Sequence, residues 1–149
     1  MFKIAHIADT HIRNLKYHFE YREAFADLYK QLKESQPDYI VHCGDLAHTK
    51  TQLSPEYFSL ATEFLSNLAN IAPTIIIAGN HDGNLKNANR EDAIGPIVAA
   101  LKHPDLDDKI TFNVLSVFDE ENWTQPTDDS KINVALYHGA ISNCQTDLG

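Results

Sequence analysis

Short apolar runs alternate with amphipathic segments through the first half of the chain, and this order leaves few possible folds. Residues 2–8, 39–43 and 74–78 are rich in apolar side chains, as strands are. Between them, segments 21–32 and 54–68 repeat apolar residues every three or four positions, which is typical of a helix with one buried face. The βαβαβ order predicts a parallel sheet with right-handed crossovers. We therefore expect an α/β fold.

The second half of the chain is less regular. A short helix is predicted near Ile97, beginning around Pro96, and strands are predicted over residues 110–118 and 132–137. A polar, turn-rich segment separates the two strands. Neither an internal repeat nor a composition change marks a domain boundary, so we expect one domain over residues 1–149.

Composition and chain ends suggest a cytoplasmic protein. Hydrophobic residues make up 43% of the sequence, and no apolar run approaches the ~20 residues that span a bilayer. The N-terminus passes directly into a strand pattern and lacks the features of a secretion signal. Two cysteines, Cys43 and Cys144, are too few for a disulfide framework, and Cys43 lies in an apolar run that predicts burial.

Four predicted strands end in residues that bind metals. These runs are Asp9-Thr10-His11, Gly44-Asp45, Gly79-Asn80-His81-Asp82 and His138-Gly139. Taken singly, each run is also a common strand-end turn. Parallel strands, however, bring their carboxyl ends to one edge of the sheet, so residues distant in sequence would meet there. Together, Asp, His and Asn side chains predict a site for a divalent metal.

The residue types at these ends suggest separate roles. The carboxylate of Asp45 has two oxygens and could bridge two cations, while Asn80 offers a neutral carbonyl oxygen. His81 could donate a proton or place positive charge near a reacting phosphate. Asp82 could orient a neighbouring ligand. In contrast, His6 and His42 lie inside strand patterns and are expected to be packed rather than ligating.

The net charge of -9, from 12 Lys+Arg against 21 Asp+Glu, argues against a stand-alone nucleic-acid binder. Part of the acidity is expected where carboxylates gather around cations. A phosphate substrate is still compatible with this charge. Metals, local basic residues or a partner would have to supply the attraction.

The ordered motifs Asp-x-His, Gly-Asp, Gly-Asn-His-Asp and a later His-Gly resemble those of the calcineurin-like metallophosphoesterases. The resemblance implies layered sheets flanked by helices. Phosphoprotein phosphatases of this group carry Gly-Asp-x-x-Asp-Arg, whereas this chain has His48 at the position of the second Asp and Thr49 after it. A histidine there is similar to the SbcD-type DNA nucleases, which also include phage recombination nucleases.

This resemblance implies a role for each motif residue. Asp9 and His11 would bind the first metal, Asp45 would bridge, and Asn80 and His138 would bind the second. His81 would protonate or stabilise the leaving oxygen, with His48 assisting nearby. The metals would be two divalent ions, typically Mn²⁺.

The same resemblance implies a partner and a pathway. The substrate would be DNA, cleaved as an exonuclease or an endonuclease in break repair or recombination. An SMC-like ATPase subunit and a homodimer are the expected protein partners, and no membrane is expected.

The chain departs from this family after His138. The family ends its site with Gly-His-x-His, and no further histidine follows here. We therefore expect a fold that is incomplete at the C-terminus, in a fragment or a reduced relative, with a weakly held second metal. Two other functions stay open: a phosphatase or small-molecule phosphodiesterase, and a non-catalytic fragment with an incomplete metal site.

Overall fold

The computed structural model describes residues 2–87, 89–101, 110–126 and 128–140. Its elements are β1 (Ile4–Ile7), α1 (His18–Ser35), β2 (Tyr39–Cys43), α2 (Pro55–Ala69), β3 (Thr74–Ile77), α3 (Gly95–Ala100), β4 (Ile110–Leu115), a 3₁₀ turn (Glu120–Asn122) and β5 (Ile132–Tyr137). The predicted element order and the α/β class are confirmed. β4 ends three residues earlier than predicted because Ser116 begins a turn, in which its hydroxyl accepts the N–H of Phe118 at 3.1 Å.

The first sheet is parallel throughout, with β2 between β1 and β3. All five residues of β2 are buried, as expected for a strand covered on both faces. His42 on β2 is fully buried, which agrees with the prediction that it packs inside the protein. His6 is exposed on the edge strand β1, so the same prediction is wrong for this residue.

Helices α1 and α2 cover one face of the first sheet. Phe25 of α1 meets Phe64 of α2 with ring centroids 4.2 Å apart, and both belong to the main hydrophobic core. Ser54 caps α2, since its hydroxyl accepts the Tyr57 N–H at 3.2 Å, and Pro55 occupies the first helical position. In the described part of the chain, no helix combines the length and apolar character needed to cross a bilayer.

A second sheet covers the other face. β4 and β5 pair in parallel, from Ile110 opposite Ile132 to Leu115 opposite Tyr137. Leu136 joins a small core with residues of β2 and β3, so the layers are helices, first sheet and second sheet. Cys43 lies in this inner core and is buried as predicted, while Cys144 lies outside the described residues.

Candidate metal centre

The turns after β1, β2 and β3 meet at one edge of the first sheet because the three strands run in the same direction. Backbone hydrogen bonds join the first and second turns: Asp9 N–H donates to Gly44 O at 3.1 Å, His11 N–H to Asp45 O at 2.9 Å, and Ile12 N–H to Leu46 O at 2.8 Å. β5 ends at this edge too, and it places His138 Nε2 3.4 Å from Asp45 Oδ2. All four strand-end motifs therefore lie together.

Asp45 lies at the centre of this cluster and is only 3% exposed. Its Oδ2 is 3.5 Å from His11 Nε2 and 3.4 Å from His138 Nε2. Its Oδ1 accepts the backbone N–H of His81 at 2.8 Å. A buried carboxylate with imidazoles on two sides is placed to bridge two cations.

Two groups of potential ligands share this carboxylate. In each group, one ligand atom per residue lies within 4.8 Å of the others; the groups are His11, Asp45 and His81, and Asp9, Asp45 and His138. The family resemblance implies a different pairing, with Asp9 and His11 at one metal and Asn80 and His138 at the other. These pairs are also adjacent, since Asp9 Oδ1 is 3.6 Å from His11 Nε2 and Asn80 Oδ1 is 3.0 Å from His138 Nε2.

The surroundings of His138 fit a cation. Its Nδ1 lies 2.7 Å from the carbonyl oxygen of Cys43, so Nδ1 carries the proton and donates it, as metal-binding histidines usually do. Nε2 then presents a lone pair, which faces Asn80 Oδ1 at 3.0 Å and Asp45 Oδ2 at 3.4 Å. Three electron-pair donors that point at each other are stabilised by a shared cation. The donor set of oxygen and imidazole nitrogen suits Mn²⁺ and several other divalent ions.

His81 has the same internal arrangement. Its Nδ1 lies 2.9 Å from the backbone oxygen of His48, which leaves Nε2 free. The His81 ring meets the His11 ring edge-on at 4.8 Å between centroids and stacks on the His48 ring at 6.2 Å. Desolvation lowers the pKa of His48, and repulsion from Arg13, His11 and His81 lowers it further. The two histidines predicted to assist the reaction are therefore neighbours at the crevice.

Asp82 does not line the crevice but lies fully buried behind it. Its carboxylate accepts three backbone N–H groups: Ala47 at 2.8 Å, Gly79 at 2.9 Å and Leu46 at 3.3 Å. Burial raises the pKa of Asp82, and these hydrogen bonds oppose that rise. The side chain thus joins the second turn to the third and fixes the position of Asp45 relative to the third turn.

Two glycines are required by this packing. A Cβ on Gly44 would lie 2.7 Å from His138 Nδ1, and Gly44 also has a positive φ of 90°. A Cβ on Gly79 would collide with Asp45 Oδ1 and lie 2.5 Å from the Asp45 nitrogen. Glycine at both positions lets the second turn, the third turn and His138 approach closely.

An open trough extends from the crevice. Its first part has a volume of about 250 Å³ and is lined by His48, Thr49, Lys50, Thr51, Asn80 and His81. Lys50 Nζ donates to Asn80 O at 3.2 Å, which holds the ammonium group beside the third turn. Lys50 also borders a much smaller adjoining hollow of about 10 Å³, together with Arg90 and Glu91; the two hollows are called the trough below. Lys50 and Arg90 were not predicted from the sequence, because an isolated cation in a loop carries no periodic signal.

Sequence reasoning also missed the partner of His42. Its Nε2 lies 2.5 Å from Thr10 Oγ1, the hydroxyl between Asp9 and His11. Burial lowers the pKa of His42 to about 4, so the ring is neutral near pH 7. The apolar run around His42 predicted burial, but a sequence pattern gives no tertiary partner.

Comparison with known proteins identifies the family of this chain. A model of the family described as calcineurin-like phosphoesterase matches residues 2–148. The uncharacterized protein R555 of Acanthamoeba polyphaga mimivirus is 41% identical over 170 aligned residues, which cover 98% of this chain and 13% of that protein. The crystal structure of Pseudomonas putida nuclease MPE is similar at a TM-score of 0.44 and 18% identity, over 89% of this chain and 58% of that one. The extent of the family match shows that this chain belongs to the calcineurin-like phosphoesterases.

Proposed function

We propose that this chain forms the catalytic domain of a metal-dependent phosphodiesterase that cleaves DNA. Its family typically depends on two metal ions. The observation that carries the proposal is the position of Asp45, which is shared by two groups of potential ligands. Because the chain spans 13% of the mimivirus relative, this proposal concerns the domain and not a whole protein.

In this proposal, Asp9, His11, Asp45, Asn80 and His138 hold two divalent cations. Bound there, such cations would lower the pKa of a water molecule and offset the charge of the phosphate. Asp45 keeps the two ligand groups at a fixed separation, since both of its oxygens are engaged. The buried hydrogen bonds of Asp82 maintain that geometry.

His81 would supply the proton for the leaving oxygen. Its Nδ1–H donates to the His48 carbonyl, so the proton for the leaving oxygen would come from the Nε2–H of the imidazolium form. His48 stacks on His81 and would support it as a second polar contact to the phosphate. An imidazole held on one side and free on the other suits general acid catalysis.

Local cations favour a phosphodiester chain over a small ester. The chain carries a net charge of -9, so attraction to DNA must come from particular places. Lys50 and Arg90 line the trough that leads away from the crevice. A second nucleotide of a DNA strand could place its phosphate near these side chains, whereas a monoester has no group to reach them.

A second basic surface follows the first turn. Arg13 lies 6.0 Å above the ring of Tyr17, and Leu15 and Phe19 nearby are 68% and 71% exposed. Cations beside exposed aromatic side chains such as Tyr17 and Phe19 are typical of surfaces that contact single-stranded nucleic acid. We therefore place DNA on both sides of the crevice in this proposal. Mn²⁺, a role in recombination or break repair, an SMC-like ATPase partner and a homodimer remain parts of the same proposal.

One observation favours a phosphatase or small-molecule phosphodiesterase instead. Glu91 lines the trough beside Arg90, and Asp92 lines the part beyond it. Their carboxylates would repel the phosphates of a long strand. The Asp92 carboxylate, however, accepts the N–H groups of Ile94 and Gly95 at the start of α3, which directs it towards the backbone.

A substrate panel separates these functions. The purified chain with Mn²⁺ would be given a single-stranded oligonucleotide, duplex DNA, bis-p-nitrophenyl phosphate and p-nitrophenyl phosphate. We expect hydrolysis of DNA and of the diester, with the monoester turned over slowly. Hydrolysis of the monoester alone would contradict the proposal.

Charge-neutral variants add a test of the trough. Lys50→Gln should raise KM for the oligonucleotide and leave KM for the small diester unchanged. Lys33→Gln is the matched control, because Lys33 lies in the last turn of α1, at the opposite end of the layer from the crevice. Equal effects of the two variants on DNA cleavage would exclude a specific role for the trough.

A further inference from the structure

The Asp9–His11 turn carries two proposed ligands in an unfavourable backbone conformation. Asp9 has a φ of 55° and His11 a φ of 47°, both in the left-handed region that residues with a Cβ usually avoid. The side chain of Asp9 is 60% exposed, so packing does not fix it. Other groups must therefore hold this turn in place.

Backbone hydrogen bonds support the turn on both sides of Thr10. Asp9 N–H donates to Gly44 O at 3.1 Å, and His11 N–H donates to Asp45 O at 2.9 Å. Tyr21 adds a side-chain bond, since its hydroxyl donates to His11 O at 2.6 Å. These bonds attach the ends of the turn to the second turn and to α1.

Thr10 itself is held through its side chain. Its hydroxyl oxygen lies 2.5 Å from Nε2 of His42, in a hydrogen bond whose donor depends on the imidazole tautomer. His42 is fully buried on the central strand β2. Its ring meets Phe64 of α2 edge-on at 6.2 Å, so the core fixes its position. The Thr10 bond thus connects the turn that carries the two proposed ligands to the buried central strand.

The other nitrogen of His42 shows that this bond is the main polar role of the ring. Nδ1 is buried and makes no hydrogen bond to another described residue; its remaining polar contact is with the backbone of His42 itself. A buried imidazole nitrogen without a partner from another residue is unfavourable. The ordinary reason to keep an imidazole here is its contact with Thr10. Because burial lowers the pKa of His42 to about 4, this contact is made by a neutral ring near pH 7.

We propose that His42 is a positioning residue for the metal centre, which acts through Thr10 to hold Asp9 and His11 in the orientation that faces Asp45. This inference rests on the proposed metal-dependent function. It assigns no contact between His42 and the substrate or the metals. We expect that loss of the hydrogen bond between Thr10 and His42 lowers the affinity for metal.

Metal titration with matched variants tests this expectation. Thr10→Val removes the hydroxyl and keeps the shape, whereas Thr10→Ser keeps the hydroxyl. Removal of an outer partner of a metal ligand typically weakens metal binding about 10- to 100-fold, and we expect Thr10→Val to weaken Mn²⁺ binding by about tenfold in calorimetry. Thr10→Ser should bind Mn²⁺ within about twofold of the unaltered chain. Unaltered affinity in Thr10→Val would overturn the proposal.

A double-mutant cycle tests whether Thr10 and His42 affect metal binding through the same hydrogen bond. His42→Met removes the polar nitrogen, while His42→Gln keeps a polar group at the position of Nε2. The double variant Thr10→Val/His42→Met should lose no more Mn²⁺ affinity than Thr10→Val alone, because one bond is lost in both. His42→Gln should recover most of the affinity. Losses that multiply in the double variant would overturn the proposal.

Amide hydrogen exchange in EDTA provides a readout without metal. Thr10→Val and His42→Met should raise exchange at the His11 and Ile12 amides, which donate to the second turn, more than at the amides of α2. Thr10→Ser should leave these rates unchanged. Uniform changes across the chain would show general destabilisation and overturn the positioning role. If the unaltered chain bound no Mn²⁺, the proposed function would fail independently of this exchange result.

Discussion

The first and third turns of the metal centre hold their residues in different ways. The third turn, residues 79–82, surrounds a fully buried carboxylate that accepts three backbone N–H groups. The first turn, residues 9–11, has two residues with positive φ, an exposed Asp9 and two side-chain bonds to the rest of the fold, from Thr10 to His42 and from Tyr21 to His11 O. The third turn is therefore stabilised by buried hydrogen bonds of its own Asp82. The first turn has an unfavourable backbone conformation, and hydrogen bonds from neighbouring segments stabilise it. We expect changes behind the third turn to affect folding and changes behind the first to affect metal affinity.

Removal of the residue between the two turns should have the largest effect. Asp45→Ala eliminates the carboxylate that both ligand groups share. We expect Mn²⁺ affinity to fall by more than the about 100-fold that loss of an outer partner can cost. Calorimetry with Mn²⁺ measures this loss, and circular dichroism checks that the fold is retained. A variant that keeps one tight ion would show that the two groups do not depend on a shared ligand.

Loss of the buried carboxylate of Asp82 should be the next largest effect. Asp82→Ala leaves three buried N–H groups without their acceptor, and we expect it to lower the free energy of unfolding by about 3–5 kcal/mol. Asp82→Asn, which keeps one carbonyl oxygen, should lower it less. Urea denaturation of the metal-free chain gives both values. If Asp82→Ala weakened Mn²⁺ binding without destabilising the fold, the contrast between the two turns would be wrong.

The buried imidazole of His42 predicts a pH dependence. The pKa of His42 is about 4 in the folded chain and about 6.5 when unfolded, so between these values the unfolded chain binds a proton that the folded chain does not. The free energy of unfolding should therefore fall as the pH drops from 6.5 to 4, by about 3 kcal/mol from this group. Denaturation of the metal-free chain at several pH values measures the slope. His42→Gln should show a smaller slope, and an equal slope would contradict the assigned burial.

The smallest effect concerns Tyr57, which lies near the third turn. Its hydroxyl is buried without a hydrogen-bond partner among the described residues, and burial together with repulsion from Asp82 raises the pKa of Tyr57. Tyr57→Phe should leave the free energy of unfolding unchanged or raise it by up to about 1 kcal/mol. Thermal or urea denaturation is sufficient to detect the change. A clear destabilisation would mean that the hydroxyl supports the third turn after all.

Periodicity and strand order predicted most of the fold. The apolar period identified α1 and α2, and the β-branched run over residues 74–78 identified β3. The sequence pattern did not show that β4 and β5 form a separate sheet. Such a pattern indicates which residues are buried, but not which strand a given strand pairs with. The prediction for His6 was wrong for the same reason, because the pattern did not show that β1 is an edge strand and leaves His6 exposed.

The positions of the candidate ligands were predictable and their supports were not. Asp45 and His138 follow strands whose ends must meet in a parallel arrangement, so order along the chain was enough. The partners of His42 and Asp82 come from other turns, and no spacing rule relates Thr10 to His42 or Asp82 to Ala47. The trough cations Lys50 and Arg90 were missed for the same reason.

The central claim, a metal pair that shares Asp45, is tested most directly by electron paramagnetic resonance of the chain loaded with Mn²⁺. Two ions bridged by one carboxylate should bind at two per chain and give the spectrum of a spin-coupled pair. In Asp45→Ala, that spectrum should disappear. A spectrum of isolated ions in the unaltered chain, or a coupled spectrum that survives in Asp45→Ala, would contradict the account.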